Sequence, residues 1–369
     1  MKKIIEFVKS ETVLAVSAVL AVVSMFLVPP SADYIDYIDF RTLGLLFCLM
    51  VIMAGLRSLG VFSLIGHKLL KKAASTRKLS LLMVLLCFFS SMLITNDVAL
   101  ITFVPFAIEV FGISGKKDKL ALVVVLQTIA ANLGSMLTPL GNPQNLYLYS
   151  LTGMGIGEFV LIMLPYTALS LVLLVACVFI GKDEKISFTM EESSITLNRK
   201  LTSFYIILFA LCLLTVVRLI PWYITLAILV VAVLAADGRT LLKADYNLLL
   251  MFVCFFIFVG NMGKLDIIKD FLTGIIAGNE CLVSVAASQV ISNVPAALLL
   301  SGFTENLRDI LIGVNLGGLG TLIASMASLI SYKFFAASFN KEKGKYMLIF
   351  TAYNIAFLAA LMILYIIIK

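Results

Sequence analysis

Apolar runs follow one another along this chain from Val13 to Ile368, with only short polar breaks between them. That pattern removes most fold classes. Apolar residues make up 62% and charged residues 13% of the chain, against about 45–50% and about 25% in a soluble domain. There is too little polar surface to cover such a core in water, and too much apolar bulk for disorder or a fibre. The runs read as membrane helices, each needing about 20 mostly apolar residues. The expected class is an all-α polytopic membrane protein.

The runs fall at 13–28, 42–60, 79–94, 98–111, 120–133, 146–180, 201–220, 222–236, 246–262, 281–291, 294–303, 310–332 and 346–368. The first, behind Met1-Lys2-Lys3, resembles a signal peptide. Its apolar region is long and no small-x-small site follows, so it reads as a first span that stays in place. Two pairs are short: 79–94 with 98–111, and 281–291 with 294–303. Arms of this length rise about 15–24 Å, less than a hydrocarbon core of about 30 Å. They are expected to form re-entrant hairpins at 79–111 and 281–303, beside about nine full spans. Their tips, Thr95-Asn96-Asp97 and Ser292-Asn293, would lie at membrane depth, where protein or water must cover them.

The net charge of +7 lies in short runs between apolar stretches. A nucleic-acid binder would cluster it on a solvated face; here membrane topology explains it. With the N-terminus in the cytoplasm, 21 Lys and Arg fall on the cytoplasmic side and 6 outside, with Arg57 inside a span. The positive-inside rule favours that orientation. The expected location is a bacterial or archaeal plasma membrane. Hairpin one then opens to the cytoplasm and hairpin two to the outside.

Three segments recur in the same order. Leu45 to Gly60 is similar to Leu250 to Gly263, Ile94-Thr95-Asn96-Asp97 to Ile291-Ser292-Asn293-Val294, and Asn132-Leu133-Gly134-Ser135 to Asn315-Leu316-Gly317-Gly318. The hairpin asparagines are 197 residues apart and the later pair 183. With the hairpins opening to opposite sides, this predicts inverted repeats, each holding a re-entrant hairpin and a broken helix. The first repeat is placed at 1–180, a cytoplasmic linker and connecting span at 181–220, and the second repeat at 221–369. Secondary transporters built this way bind their solutes at the midplane, between broken helices.

The broken helices are Asn132 to Asn145, with Pro139, Pro143, Gly134 and Gly141, and Asn315 to Ser325, with Gly317, Gly318 and Gly320. Proline and glycine interrupt helices and free backbone groups that a bound ion can partner. Half-helix N-termini favour anions, and loop carbonyls favour a hard cation such as sodium. Asn96, Asn132, Asn293 and Asn315, with backbone from Gly134–Ser135 and Gly317–Gly318, are expected to share one cavity. Asp97 is the sole charge between Lys78 and Glu109. It either caps the second arm or, at such depth, also holds the coupling ion or proton. Plainer roles stand beside several others: Asn132 and Asn315 as helix glue, Pro295 as a helix start, Arg57 as a snorkelling cation and His67 as a solvated interfacial residue.

The tips, the run from Asn132 through Gly141-Asn142-Pro143-Gln144-Asn145, Ser292-Asn293-Val294-Pro295 and Gly313-Val314-Asn315-Leu316-Gly317-Gly318 resemble the ion transporter superfamily. That group includes divalent anion:sodium symporters, citrate transporters, arsenite efflux permeases and some sodium/proton antiporters. The resemblance implies a homodimer working by an elevator-like motion. It implies substrate contacts from Asn96, Asn132, Ser135, Ser292, Asn293, Asn315, Gly317, Gly318 and Thr321. It implies coupling-ion contacts from Thr95, Asp97, Gly134, Thr138, Gly141, Asn142 and Asn145. Dicarboxylate symporters of the group carry Ser-Asn-Thr at both tips. Here one Thr is replaced by Asp97 and the other by Val294, a pattern more like the arsenite permease and antiporter branches.

The leading expectation is a secondary active transporter of a small anion, a carboxylate or inorganic oxyanion, with sodium or a proton as coupling ion and no other cofactor. The alternatives are a sodium/proton antiporter using Asp97 and efflux of a neutral oxyacid. The six cysteines lie in apolar runs with no CxxC pair, and there is one His. Neither a disulfide framework nor a His-rich metal site is expected. The chain holds no HExxH, no GxSxG with a partner His and no P-loop, so neither an enzyme nor an ATPase is expected.

Overall fold

The computed structural model describes residues 11–70, 75–113, 117–180, 182–185 and 197–369. The basic residues Lys2, Lys3, Lys9, Lys71, Lys72 and Lys116, most of the linker expected at 181–200 and the side chain of His67 lie outside them. The described chain is helical, with one isolated bridge between Ser75 and Lys185. The α-helices are α1 (Thr12–Leu27), α2 (Phe40–Ser58), α3 (Val61–Leu70), α4 (Thr76–Ile94), α5 (Asn96–Ile113), α6 (Leu120–Ser135), α7 (Pro143–Thr152), α8 (Ile156–Ile180) and α9 (Arg199–Val216). They continue as α10 (Trp222–Asp237), α11 (Tyr246–Gly263), α12 (Asp266–Ile276), α13 (Glu280–Ile291), α14 (Asn293–Leu300), α15 (Leu307–Leu316), α16 (Met326–Ser338) and α17 (Lys343–Ile368).

Seven helices among the described residues, rather than the nine expected, are long and apolar enough to cross a membrane. Three expected spans are not among them, α1 and α6 with 16 residues each and the divided run 310–332, while α4, expected as a hairpin arm, is. The run 146–180 is interrupted at Gly153, which sits in the left-handed region at φ 70° and ends α7, and still supplies one span, α8. The run 310–332 is divided between α15 and α16. α1 has 16 residues, a rise of about 24 Å.

The first hairpin also differs from expectation. Its arms α4 and α5 have 19 and 18 residues, because Thr76-Arg77-Lys78 and Asn96-Asp97 extend the apolar runs as helix. α4 alone passes as a membrane-length helix, so shortness is no argument for re-entry there. The second hairpin is short, with 12 residues in α13 and 8 in α14. Ahead of it, the amphipathic α12 meets α13 at 108°. α12 exposes Ile267, Phe271 and Ile275 and interrupts no apolar run, so the sequence pattern did not reveal it.

The start of hairpin one is clasped by the segment after α8. Thr76 N–H donates to Glu184 O (2.8 Å), Arg77 N–H donates to Asp183 Oδ1 (3.0 Å) and Lys119 pairs with Glu184 (2.9 Å). The Arg77 amide holds the Asp183 carboxyl below the usual carboxylate range. The charged form is the one bonded, so this hydrogen bond is fully present at neutral pH and is lost as pH falls through that lowered value.

Glycine lets helices touch at chosen points. A Cβ at Gly55 on α2 would overlap the ring of Tyr205 on α9. That ring is fully buried, and its hydroxyl donates to Asp237 Oδ2 (2.9 Å), so it has little room to yield. Gly55→Ala is expected to lower the melting temperature of the detergent-solubilised protein, at a cost of about 1–3 kcal/mol for overpacking. Gly112→Ala, where a Cβ meets nothing within 4 Å, serves as the control and should leave it unchanged or raised. Equal melting of the two variants would show that the α2–α9 contact is not tight.

Candidate functional site

Two turns build the site. Thr95 and Ser292 take positive φ, 68° and 74°, a region costly for residues other than glycine. Each turn is fixed by the next residue's amide. Asn96 N–H donates to Gly141 O (3.1 Å), and Asn293 N–H donates to Ala324 O (3.0 Å). Both hairpin tips are thus seated on the far ends of the two helix breaks. The side chains repeat the correspondence. The Thr138 hydroxyl donates to Met92 O, and the Thr321 hydroxyl donates to Gln289 O (3.2 Å). These donors are 183 residues apart and their acceptors 197.

The asparagines converge at the crossing. Asn96 Nδ2 donates to Asn132 Oδ1 (3.0 Å), which also accepts from the Ser325 hydroxyl (3.0 Å). Asn132 Nδ2 reaches Gly318 O (3.4 Å). Asn315 Nδ2 donates to Asn145 Oδ1 (2.7 Å) and Leu311 O (2.8 Å). Asn132 therefore links hairpin one to the second break, and Asn315 links the second broken helix to the first. Asn293 stands at Gly318, where a Cβ would lie 3.0 Å from its amide nitrogen. Asn96, Asn132, Ser292, Asn293 and Asn315 are all buried.

The breaks are held by side-chain amides. In the first, Asn145 Nδ2 donates to Ser135 O and Thr138 O, both at 3.2 Å. Asn142 Nδ2 donates to Ser135 Oγ (2.7 Å). A Cβ at Gly134 would overlap Phe88 O, and one at Gly141 would overlap Ser135 O. In the second, Gln289 Nε2 donates to Gly317 O (3.0 Å) and Leu319 O (2.9 Å), while its Oε1 accepts from Thr321 N–H (2.8 Å). Gln289 went unremarked in the sequence, although it is the one amide side chain within α13. Gly317 and Thr321 are thereby engaged with Gln289, and Thr321 is exposed, away from the asparagine cluster.

Two cavities adjoin the cluster. A space of about 20 Å3, enough for about one water, is bounded by Asn96, Asp97, Asn142, Asn293 and Ser325 among others. A second, of about 200 Å3, is lined by α2 and by Thr95, Asp97, Asn142 and Leu146, with Arg57, Lys243 and Asp245 at its margin. Both tips thus border one small space, and Asp97 borders both. Asp97 Oδ1, Asn142 Oδ1 and Asn315 Oδ1 are buried with no protein hydrogen-bond partner. A buried polar atom without a partner is costly, and the two of these oxygens that border both cavities, on Asp97 and Asn142, are of the kind suited to a hard cation or a solute hydroxyl. Arg57, Lys243, Asp245 and Ser325 were not among the residues singled out as site candidates from the sequence.

The family described as citrate transporter matches residues 3–308. An uncharacterized transporter of Methanocaldococcus jannaschii is 34% identical over 316 residues, covering 85% of each chain. The inner membrane protein YbiR of Escherichia coli is 32% identical over 304 residues, 80% of each. The silicon efflux transporter LSI3 of Oryza sativa is 32% identical over 148 residues, 40% of this chain and 30% of its own.

Replacing Gln289 by Glu keeps its size and removes the donor, leaving two buried carbonyls facing a carboxylate. Gln289→Glu is expected to lose more thermal stability than Gln289→Ala, which should itself cost about 1–3 kcal/mol. Melting curves of the purified protein test this. Wild-type melting in both variants would remove Gln289 from the support of the break.

Proposed function

Since this chain belongs to the citrate transporter family, a family of membrane transporters, we propose that it is a secondary active transporter of a small anion, a carboxylate or inorganic oxyanion, driven by a sodium or proton gradient. We read the bonds recurring at spacings of 183 and 197 as the signature of inverted repeats, with hairpins 79–111 and 281–303 re-entrant between them. The chain would work in a plasma membrane, N-terminus inside, as a homodimer of elevator type. The observation that carries the reading is the asparagine cluster, in which both hairpin tips and both broken helices meet around unpartnered buried oxygens.

In this reading Asn96, Asn132, Ser135, Ser292, Asn293, Asn315 and Gly318 offer amides, hydroxyls and backbone to the solute, with Gly317 and Thr321 supporting the same loop. Thr95, Asp97 and Asn142 border the space that would take the coupling ion, and Gly134, Thr138, Gly141 and Asn145 shape its backbone. Sodium would be held by oxygen atoms of this set, Asp97 Oδ1 and Asn142 Oδ1 first. It would supply the positive charge that lets a carboxylate and an anionic solute share one space. A second reading, exchange of sodium for a proton at Asp97, is favoured by the same unpartnered carboxylate oxygen. A third, efflux of a neutral oxyacid, draws support from the name of the silicon efflux relative.

Uptake into proteoliposomes, screened with citrate and with inorganic oxyanions, with and without sodium and across a pH series, separates these readings. Asn96→Ala and Asn293→Ala are expected to fold and to lose solute binding; unchanged transport in both would remove the cluster from the site. Asp97→Asn keeps a capping oxygen and removes the titratable charge. It is expected to melt near wild type and to lose gradient-driven transport. Wild-type transport by Asp97→Asn under every condition would reduce Asp97 to a helix cap.

A further inference from the structure

A third cavity, of about 440 Å3, lies along the same helices as the 200 Å3 cavity and at their opposite ends. Its lining includes Asp36, Asp39, Arg41, Tyr147, Ser150 and Phe256. On α2, Asp39 and Arg41 mark the start of the helix, while Arg57, at the margin of the first cavity, marks its end. On α11 the order is reversed. Leu248, near the start, lines the first cavity, and Phe256, Val259 and Gly260, near the end, line the third. Both helices are long and apolar enough to cross a membrane. The two cavities therefore lie toward opposite ends of these two helices.

What separates them is thin. Leu248, Phe252 and Phe256 lie four residues apart on one stripe of α11, so the cavity linings along this helix are about 12 Å apart. Phe252, between them, is fully buried. Its ring meets Tyr147 edge-on at 6.4 Å and Phe256 at 6.0 Å, and Tyr147 lies 5.7 Å from Phe256. Tyr147 is pinned from the other side, its hydroxyl bonded to Ser301 Oγ at 2.8 Å, just beyond α14. On α7, Leu146 lines the first cavity and Tyr147 the third. Along this stripe the Phe252 ring, packed on Tyr147 and Phe256, stands between the two linings.

We propose that the cavity at Asp36, Asp39 and Arg41 is the second mouth of the translocation path, a polar waiting site for the transported solute, and that Tyr147 and Phe252 form the barrier between the mouths. This rests on the transporter reading above. The lining suits a small polar solute. Arg41 supplies a cation, Ser150 a hydroxyl and Asp36 a carboxylate, whereas Asp39 is already engaged by the amide of Thr42 (3.0 Å) and its hydroxyl.

The test uses thiol labelling and needs no known solute. Ser150→Cys reports the third cavity and Ala54→Cys the first, each in the full chain, with the six native thiols setting the baseline. A membrane-impermeant maleimide is applied to whole cells, which present one face, and to inverted vesicles, which present the other. The expected result is labelling of the two reporters from opposite faces. Adding Tyr147→Ala or Phe252→Ala should let Ala54→Cys be labelled from both faces, while Tyr147→Phe, which keeps the ring, should not. Labelling of both reporters from the same face in the otherwise unaltered chain would overturn the proposal. So would unchanged one-sided labelling of Ala54→Cys in folded Tyr147→Ala and Phe252→Ala. Failure of every solute to be transported, with the labelling pattern intact, would count against the transporter reading and leave the two-mouthed path standing.

Discussion

Every backbone amide and carbonyl inside a bilayer must be bonded within the protein, because lipid offers no partner. An unbroken helix meets that demand by itself. Two helical stretches here do not, since α6 stops before α7 and α15 stops before α16. The released groups have to be satisfied from elsewhere, and the arrangement of the site follows from how that is done. Hairpin tips give their amides to Gly141 O and Ala324 O. Glycines at 134 and 141 remove the Cβ atoms that would keep the strands of chain apart. Polar atoms left over after this accounting, Asp97 Oδ1 and Asn142 Oδ1 among them, border the cavities where a solute or ion has something to bind.

The two halves meet the same demand with different side chains. In the first break Asn145, four residues past Gly141, bonds Ser135 O and Thr138 O and then continues across to Asn315. In the second, the amide comes from the hairpin instead, through Gln289. Gln289 is three residues before Ser292; the matching position in the first hairpin is Met92, whose backbone carbonyl accepts from Thr138. Each break is thus tied to its own hairpin by a threonine hydroxyl, and the second also by the Gln289 amide, whereas the amide that braces the first reaches across to the opposite half. Asn132, which bonds Asn96, Ser325 and Gly318 together, supplies the reciprocal link.

How much of this is legible in sequence follows from contrast. Asn96, Asn132, Asn293 and Asn315 stand out because amides are expensive in apolar runs, and all four reach the crossing. Gln289 is equally conspicuous as a residue, but its role depends on where Gly317 and Leu319 fold back, which no local pattern encodes. Hairpin one is longer than its apolar run, since Thr76, Arg77 and Lys78 are polar and still helical, started by Ser75 as a cap. The interruption at Gly153 is hidden for the opposite reason. It lies between Leu151 and Met154, and a hydropathy reading passes over a single left-handed residue. α12 was missed because its exposed apolar stripe alternates with Asp266, Lys269 and Asp270, so no continuous run marks it.

α7 runs from the asparagine cluster to the end of α9. Its start, at Pro143, belongs to the site, and its end is fastened to α9. Tyr149 hydroxyl donates to Val216 O (3.1 Å). Arg218 donates to Gly153 O and to Tyr149 O, and its guanidinium lies 5.2 Å from the centre of the Tyr149 ring. Arg218 itself holds φ at 67°, a conformation costing on the order of 1–3 kcal/mol unless its surroundings impose it. Each bond it makes returns about 0.5–1.5 kcal/mol, or more with the charge. The strain and the bonds are of similar size, so the fastening is close to balanced. The backbone strain at Arg218 thus offsets part of what its hydrogen bonds contribute, at the end of a helix whose residues 144–149 are buried.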